Sequence, residues 1–420
     1  MNIHINPPRT QTVAELALND LYVSKMSALP GNPDVTSARD TAIEALKVLG
    51  LPTRRVESWH YTDLRNLLRV VPQGSDISLE PLEALAAGST VLRIMDGAAE
   101  SAKISGATVT GISSKLEDGS FAKALIARGT DDTIGQINIG LVSDGYHVAI
   151  PDGATIDAPV EVQVIAGQAS HTRLVIKAGK GSKATFIERH VGGDAFVSAI
   201  TNLVVEDGAD VTLIIDQERA QNAVHLGQFN AHVGVGSKLT LFIMNAGAKL
   251  VRQEVHVEVK GDAADFKLRA VNLIGGEAHV DVTMTLVHDA LNSTSTEVIR
   301  NVVTGRGKGV FQGQIRVAPG AQKTDAKMAC NTLLLSDEGE FSAKPELEIF
   351  ADDVQCGHGA TVREVEGQHL FYLMARGIPE NLARGLLVKA FVAEIIEELE
   401  NEHLVEALEG RLADWLEANA

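Results

Sequence analysis

The stretch Asp207-Gly208-Ala209-Asp210-Val211-Thr212-Leu213-Ile214-Ile215 sets a glycine turn directly before a short apolar strand. The same punctuation recurs at Asp152-Gly153-Ala154, Lys180-Gly181-Ser182-Lys183, Val235-Gly236-Ser237-Lys238 and Lys260-Gly261-Asp262. The glycines Gly153, Gly181, Gly208, Gly236 and Gly261 step by 28, 27, 28 and 25 residues. A near-constant period of this size marks stacked repeats, in which each unit buries its apolar face only against its neighbours. The unit contains no helix, which sets aside leucine-rich and ankyrin repeats, and a propeller blade needs roughly 40–50 residues. A parallel β-helix with about two strands per coil fits best, each glycine marking a corner that the chain turns with positive φ.

Working outward, Thr90–Met95, Tyr146–Ile150, Val160–Ile165 and Thr172–Ile176 also read as strands, being short apolar runs between Gly, Asp, Asn and Lys turns. The two flanks are helical by period. Val13 to Leu29 is one such stretch. A second helix carries Ala42, Ile43, Leu46 and Leu49, with Thr36 or Ser37 as its cap, Asp40 at the capping-box position, and Gly50 and Pro52 as its stop. The run Arg54-Arg55-Val56-Glu57-Ser58-Trp59-His60-Tyr61-Thr62-Asp63-Leu64 follows, and its aromatics Trp59 and Tyr61 are expected to pack onto the body of the protein. At the other end Pro379 starts a helix whose stripe is Ala383, Leu387, Phe391, Ile395 and Leu399, beside Glu394, Glu397, Glu398, Glu400 and Glu402. Gly410 is expected to break that pattern before Arg411–Leu416. The expected organisation is a helical region over 1–85, a β-helix over 86–365 and a helical region over 366–420. Helices on both flanks suit a solenoid, whose ends need covering.

Composition narrows the function classes. The chain has 420 residues with 45% hydrophobic and 22% charged residues, enough for a sizeable core, while aromatics are only 4% and glycines number 38. Its formal net charge of −18 repels phosphate backbones and anionic bilayers, so neither nucleic acid nor a membrane surface is an expected partner. No run of about 18 apolar residues is present, and the N-terminus lacks a secretory apolar region, so a cytoplasmic setting is expected. The two cysteines, Cys330 and Cys356, are too few for a disulfide framework.

No phosphate-binding loop, nucleophile elbow, His-Glu-x-x-His or Cys-x-x-Cys motif occurs, so ATP binding through such a loop and zincin chemistry are not expected. A polysaccharide-active β-helix would need clustered acids, and here they are scattered. One segment differs: Pro345-Glu346-Leu347-Glu348-Ile349-Phe350-Ala351-Asp352-Asp353-Val354-Gln355-Cys356-Gly357-His358-Gly359-Ala360-Thr361. Cys356 and His358 stand two apart between glycines, so in a strand both side chains face one way. Thiolate and imidazole suit iron or zinc, yet they supply only two of the usual four ligands. A metal held here needs a second chain to complete its shell, which points to an interface. The opposing reading is packing alone.

This segment resembles the signature of the SufB/SufD family of iron–sulfur cluster assembly proteins. The resemblance runs on through Leu370-Phe371-Tyr372-Leu373-Met374-Ala375-Arg376-Gly377-Ile378 and upstream through Phe311-Gln312-Gly313, Ala321-Gln322-Lys323-Thr324-Asp325-Ala326, Leu333-Leu334-Leu335-Ser336, His279-Val280-Asp281 and His288. The Arg54-Arg55-x-Glu57-x-Trp59-x-Tyr61-Thr62-Asp63 block, the length and the helical N-terminus place it on the SufD side of the family. Gly357 stands where the family usually has Ser. The resemblance implies a right-handed parallel β-helix with helical ends. It implies pairing with SufB along the β-helix and docking of the ATPase SufC on the C-terminal helices, for which Leu387, Phe391, Ile395 and Leu399 are the candidate contacts. It further implies a nascent iron–sulfur cluster or iron, transient and shared with SufB, at His358 with Cys356 beside it, and no tightly bound cofactor in the isolated chain. The implied role is a scaffold rather than an enzyme. A purely structural partner and a polysaccharide-active β-helix protein are the alternatives, and self-pairing of the isolated chain is left open.

Overall fold

Alternation of apolar and polar residues, punctuated every coil by left-handed corner residues, produces a two-sheet solenoid. The computed structural model describes residues 10–75 and 80–419. One sheet contains β1 (Thr90–Met95), β5 (Val160–Ala166), β7 (Lys183–Gly192), β9 (Asp210–Gln217), β11 (Lys238–Asn245), β13 (Asp265–Ile274), β15 (Thr294–Val303), β17 (Asp325–Leu334) and β19 (Gln355–Glu364). The other contains β3 (Thr108–Gly111), β4 (Asp144–Ile150), β6 (Ser170–Ala178), β8 (Phe196–Val205), β10 (Val224–Val233), β12 (Leu250–Val259), β14 (His279–His288), β16 (Lys308–Val317) and β18 (Glu340–Ile349). From β4 onward successive strands alternate between the sheets, and each pairs in parallel with the strand one coil away. Among the described residues, antiparallel strand pairs occur at the start, where β3 meets β4 and β1 meets the short β2 (Ala98–Ala99).

The corners carry the period. Gly153, Gly181, Gly208 and Gly236 have φ of 69°, 62°, 68° and 60°, as the repeat predicts. Gly261 does not. At that coil the left-handed residue is Ala263 (φ 59°), followed by Asn292 (56°) and Lys323 (64°). Gly261 is required for a different reason: a Cβ there would sit 2.0 Å from the Gly234 carbonyl carbon and the Val235 nitrogen. Each left-handed residue donates its N–H to a carbonyl of the next coil: Gly153 to Lys180, Gly181 to Asp207, Gly208 to Val235, Gly236 to Asp262, Ala263 to Leu291, Asn292 to Gln322 and Lys323 to Asp353.

Inward-facing Val, Ile, Leu and Phe from both sheets fill the lumen, from Leu92 and Val162 through Leu213, Leu241 and Phe266 to Phe311 and Ile315. Burying each such side chain is worth about 1.5–3 kcal/mol, and this stack is the main stabilising mass of the fold. One lumen column is polar: Asn245 Nδ2 donates to Asn272 Oδ1, Asn272 Nδ2 to Asn301 Oδ1 and Asn301 Nδ2 to Thr332 Oγ1, at 2.8, 2.8 and 3.1 Å. Each amide N–H donor of the column is thus satisfied by the next residue, out of reach of water.

Helices cover both outer faces. α1 (Val13–Lys25) opens with a Thr12–Glu15 capping box. α2 (Pro33–Leu49) is capped by Asn32 with Pro33 in its first turn, so the caps expected at Thr36 and Ser37 lie inside the helix. Asp40 accepts from the Tyr22 hydroxyl instead of closing a capping box. Together with α3 (Leu64–Leu67) and α5 (Thr133–Leu141), these helices pack on the outer face of β8, β10 and β12, at Phe196, Val224, Leu226 and Leu250. α4 (Ile112–Glu117) and α5 fall inside the span expected to be β-helix, which therefore coils regularly only from β4 onward. α7 (Glu380–Ile396) and α8 (Glu402–Ala418) cover the outer face of the other sheet at Phe242, Val271, Leu273, Val302 and Leu333. α8 runs unbroken through Gly410, which the sequence reading took as a break.

The aromatic block does pack onto the body. Trp59 is fully buried, and the Arg252 guanidinium lies 4.4 Å from its ring centroid. Arg252 also pairs with Asp281 and Glu254 and donates to the Ser58 carbonyl, while Thr62 donates to Asp281. Burial pushes the Glu254 carboxyl up, but Arg252 and His256 outweigh it and hold it down at about 2. Tyr61 stays half-buried, edge-on to His60. Arg252→Ala leaves two buried acids uncompensated and is expected to destabilise the chain by about 3–5 kcal/mol. The denaturant midpoint measures this, and a shift no larger than that of a surface substitution would count against the lock.

Candidate functional site

The solenoid ends on β18 and β19. Among the described residues no strand pairs with the far side of either, so both present free N–H and C=O groups. Inward positions on β19 continue the lumen columns of the strands beneath. Cys356 stands in register over Ala326 and Ser295, and His358 over Met328 and Glu297. The strand therefore turns its thiol and imidazole to the same side, as the i, i+2 spacing predicts, and that side is the rim of the lumen.

Their exposure differs. Cys356 is half-buried and packs against the lumen core, whereas His358 is exposed. Burial pushes the Cys356 thiol up from its ordinary range; a backbone hydrogen bond with Ala326 offsets part of this, while the charges of Asp325 and Glu297 add to it. The thiol is thus held protonated until something replaces its proton. Cys330 lies deeper in the lumen, where burial pushes it up to about 12. Its sulfur accepts from Asn301 Nδ2 at 3.4 Å, which suits a packing role.

Gly357 and Gly359 face the other way, and a Cβ at either would meet nothing within 4 Å. Beside the pair the outer side of this edge is bare backbone, and a Ser side chain at position 357 would have room. Among the described residues no group of three or more His, Cys, Asp or Glu is placed to hold a metal, so Cys356 and His358 form a pair without a third protein ligand.

The C-terminal stripe divides. Ile395 and Leu399, 1% and 7% exposed, are built into the chain's own core against the sheet. That corrects their reading as partner anchors and follows from simple amphipathicity. Leu387 and Phe391 are half-buried, and the Phe391 ring lies 5.0 Å from the Arg300 guanidinium, which also pairs with Glu394. The exposed apolar surface lies elsewhere. α6 (Gly367–Ala375) has no buried residue and shows Phe371, Tyr372 and Met374 at 74%, 56% and 41% exposure, next to Leu382 and Leu386 of α7. The segment 370–378 carries the family resemblance in the sequence, but nothing in its pattern marks it as a docking surface. Its signal is an apolar run that no strand or helix among the described residues covers.

No helix among the described residues is long and apolar enough to cross a membrane. Residues 162–391 match the sequence model of the SUF system FeS cluster assembly SufBD core domain. The iron–sulfur cluster assembly protein SufD of Escherichia coli is 27% identical over 400 residues, covering 90% of this chain and 92% of that one. The chloroplastic protein ABCI7 of Arabidopsis thaliana is 25% identical over 434 residues, covering 94% and 88%. A SufBD family iron–sulfur cluster assembly protein of Synechocystis is 30% identical over 217 residues, covering 52% and 47%.

Because His358 is exposed and Gly357 has free space, His358→Ala and Gly357→Ser are each expected to change stability by no more than about 0.5 kcal/mol. Thermal melting checks this, and a large drop for either would assign the rim a structural role.

Proposed function

This chain belongs to the SUF-system iron–sulfur cluster assembly family defined by the SufBD core domain, and on that premise we propose that it is a SufD-type scaffold subunit. It pairs through its open solenoid end with a SufB-type partner, and its C-terminal helices dock a SufC-type ATPase. The observation that carries this reading is a thiol and an imidazole on the lumen side of an unpaired edge strand that is glycine at the two adjoining outward positions, Gly357 and Gly359. Two ligands leave a metal's shell half-filled, so the partner strand must bring the rest. Unpaired strand edges join by backbone hydrogen bonds, with alternate side chains supplying specificity.

The nascent cluster is cargo rather than a resident cofactor. In this role His358 offers a neutral imidazole nitrogen to iron at the rim. Cys356 gives up its proton when a soft cation replaces it. The chain itself turns over nothing: it holds and positions. Family membership leaves the polysaccharide reading without support. A purely structural role remains the second reading, favoured by the lack of a third ligand among the described residues.

The two readings separate on one variant. His358→Ala, co-expressed with its partners, is expected to assemble normally and to lower reconstituted cluster yield by about tenfold or more, as loss of a metal ligand does. Normal yield from an intact complex would leave the chain structural. Docking is tested separately. Phe371→Asp or Leu386→Asp is expected to weaken ATPase binding by about 2 kcal/mol or more without lowering the melting temperature. Unchanged binding of either folded variant would move the docking surface elsewhere.

A further inference from the structure

Glu297 is fully buried, and neither of its carboxylate oxygens has a hydrogen-bond partner. It faces the lumen from β15, between Leu268 beneath and Met328 above, in the column that ends at His358. From β5 upward the other residues of this column below the rim, Val160, Phe186, Leu213, Leu241, Leu268 and Met328, are all apolar. A carboxylate dropped into such a stack is costly unless it is neutral or meets a cation. Ser295, on the same strand face, stands near enough to favour the ionised form but outside hydrogen-bonding geometry, and its hydroxyl is engaged with His288 Nε2 at 3.1 Å. Deep burial is otherwise avoided for acids lacking a partner, so this one implies a state of the molecule in which the partner arrives.

The geometry says from where. Adjacent strands lie about 4.8 Å apart, which puts Glu297 roughly 10 Å along the stack from β19. The residue between Ser295 and Cys356 is the small Ala326, and Glu297, once ionised, adds a negative charge that the Cys356 thiol feels. The cations near Glu297 are already committed. Arg269 of β13 lies on the opposite face of the sheet, bonded to Glu398 and to the Thr296 carbonyl. Arg300 on the outer face pairs with Glu394 of α7. Within the lumen the titratable neighbours are His288 of β14, Cys330 of β17, and Cys356 and His358 of β19, while β16 offers only Phe311, Gly313 and Ile315. The side from which a new positive charge can come is the rim.

We propose that Glu297 is the buried counter-charge of the rim pair: a carboxyl held neutral in the empty chain that ionises when a divalent cation is bound at Cys356 and His358. This rests on the rim-site reading above and adds to it a residue that never touches the metal. Burial pushes the carboxyl up to about 8, so near neutrality the empty chain carries the proton. On binding, the Cys356 S–H bond and the Glu297 O–H bond both break, the metal–sulfur bond forms, and both protons leave to solvent. The carboxylate then offsets one unit of the cation's charge inside a medium that screens poorly.

The test uses Co2+ as the probe, titrated into the full chain alone and in complex with its SufB-type partner, with protons counted by calorimetry in buffers of different ionisation enthalpy. At pH 7 the wild type is expected to release close to one proton more per Co2+ than Glu297→Gln, and to bind about tenfold tighter. The excess release shrinks as pH rises past 8, and Glu297→Asp restores it. Glu297→Gln is also expected to melt above wild type at pH 8 and higher, since a raised carboxyl pKa makes folding less favourable as pH rises from the unfolded value through the folded one. Equal proton release and equal affinity in Glu297→Gln, with binding lost in Cys356→Ser and His358→Ala, would overturn this inference and leave the rim site standing. No Co2+ binding by wild type in either form would overturn both.

Discussion

A parallel solenoid must turn each coil at the same place, in register with the coil below, and here one backbone N–H per coil enforces it. The left-handed corner residue points its N–H along the stack to a carbonyl of the next coil, from Gly153 to Lys323. The contact adds to the parallel ladders, which hold the register along each strand. With it, inward residues superimpose into columns, the lumen closes, and both outer faces become flat enough to seat helices. The proposed rim site sits where this repetition stops, because among the described residues no further coil lies above the last one to receive the next contact.

The period was therefore legible in the sequence wherever glycine supplies the left-handed conformation. It blurred where other residues do. Gly261 kept the rhythm to the eye but serves a steric purpose, and Ala263, Asn292 and Lys323 turn their corners without a glycine to mark them. The helical insert at α4 and α5 was hidden because short apolar runs of either type look alike. Gly410 looked like a break and was not, since an exposed helical glycine costs only about 1 kcal/mol and the apolar face of α8 outweighs it.

At the site, the Cys356–His358 spacing was readable because alternation in a strand is strict. What spacing could not say is which face those side chains take, and that face decides that the pair looks down a lumen. Glu297 escaped notice for the same reason: in a strand reading Thr-Ser-Thr-Glu-Val-Ile it passes for a solvated acid, and only the phase of the coil places it inside. The C-terminal stripe shows the converse. Its periodicity was real, but a period reports that a face is apolar, not what covers it. The sheet took Ile395 and Leu399, which left α6 with the uncovered surface.

The open end also bears on how such a molecule stays discrete. A solenoid with a free terminal coil is a seed, and identical coils could in principle add to it without limit. Here β18 carries Pro345, which has no N–H to donate, flanked by the charged Lys344, Glu346 and Glu348. An arbitrary strand laid along that edge finds a missing rung and a run of charges. Growth into fibres is thereby disfavoured, and the edge becomes a keyed surface that accepts a strand whose own gaps and charges match.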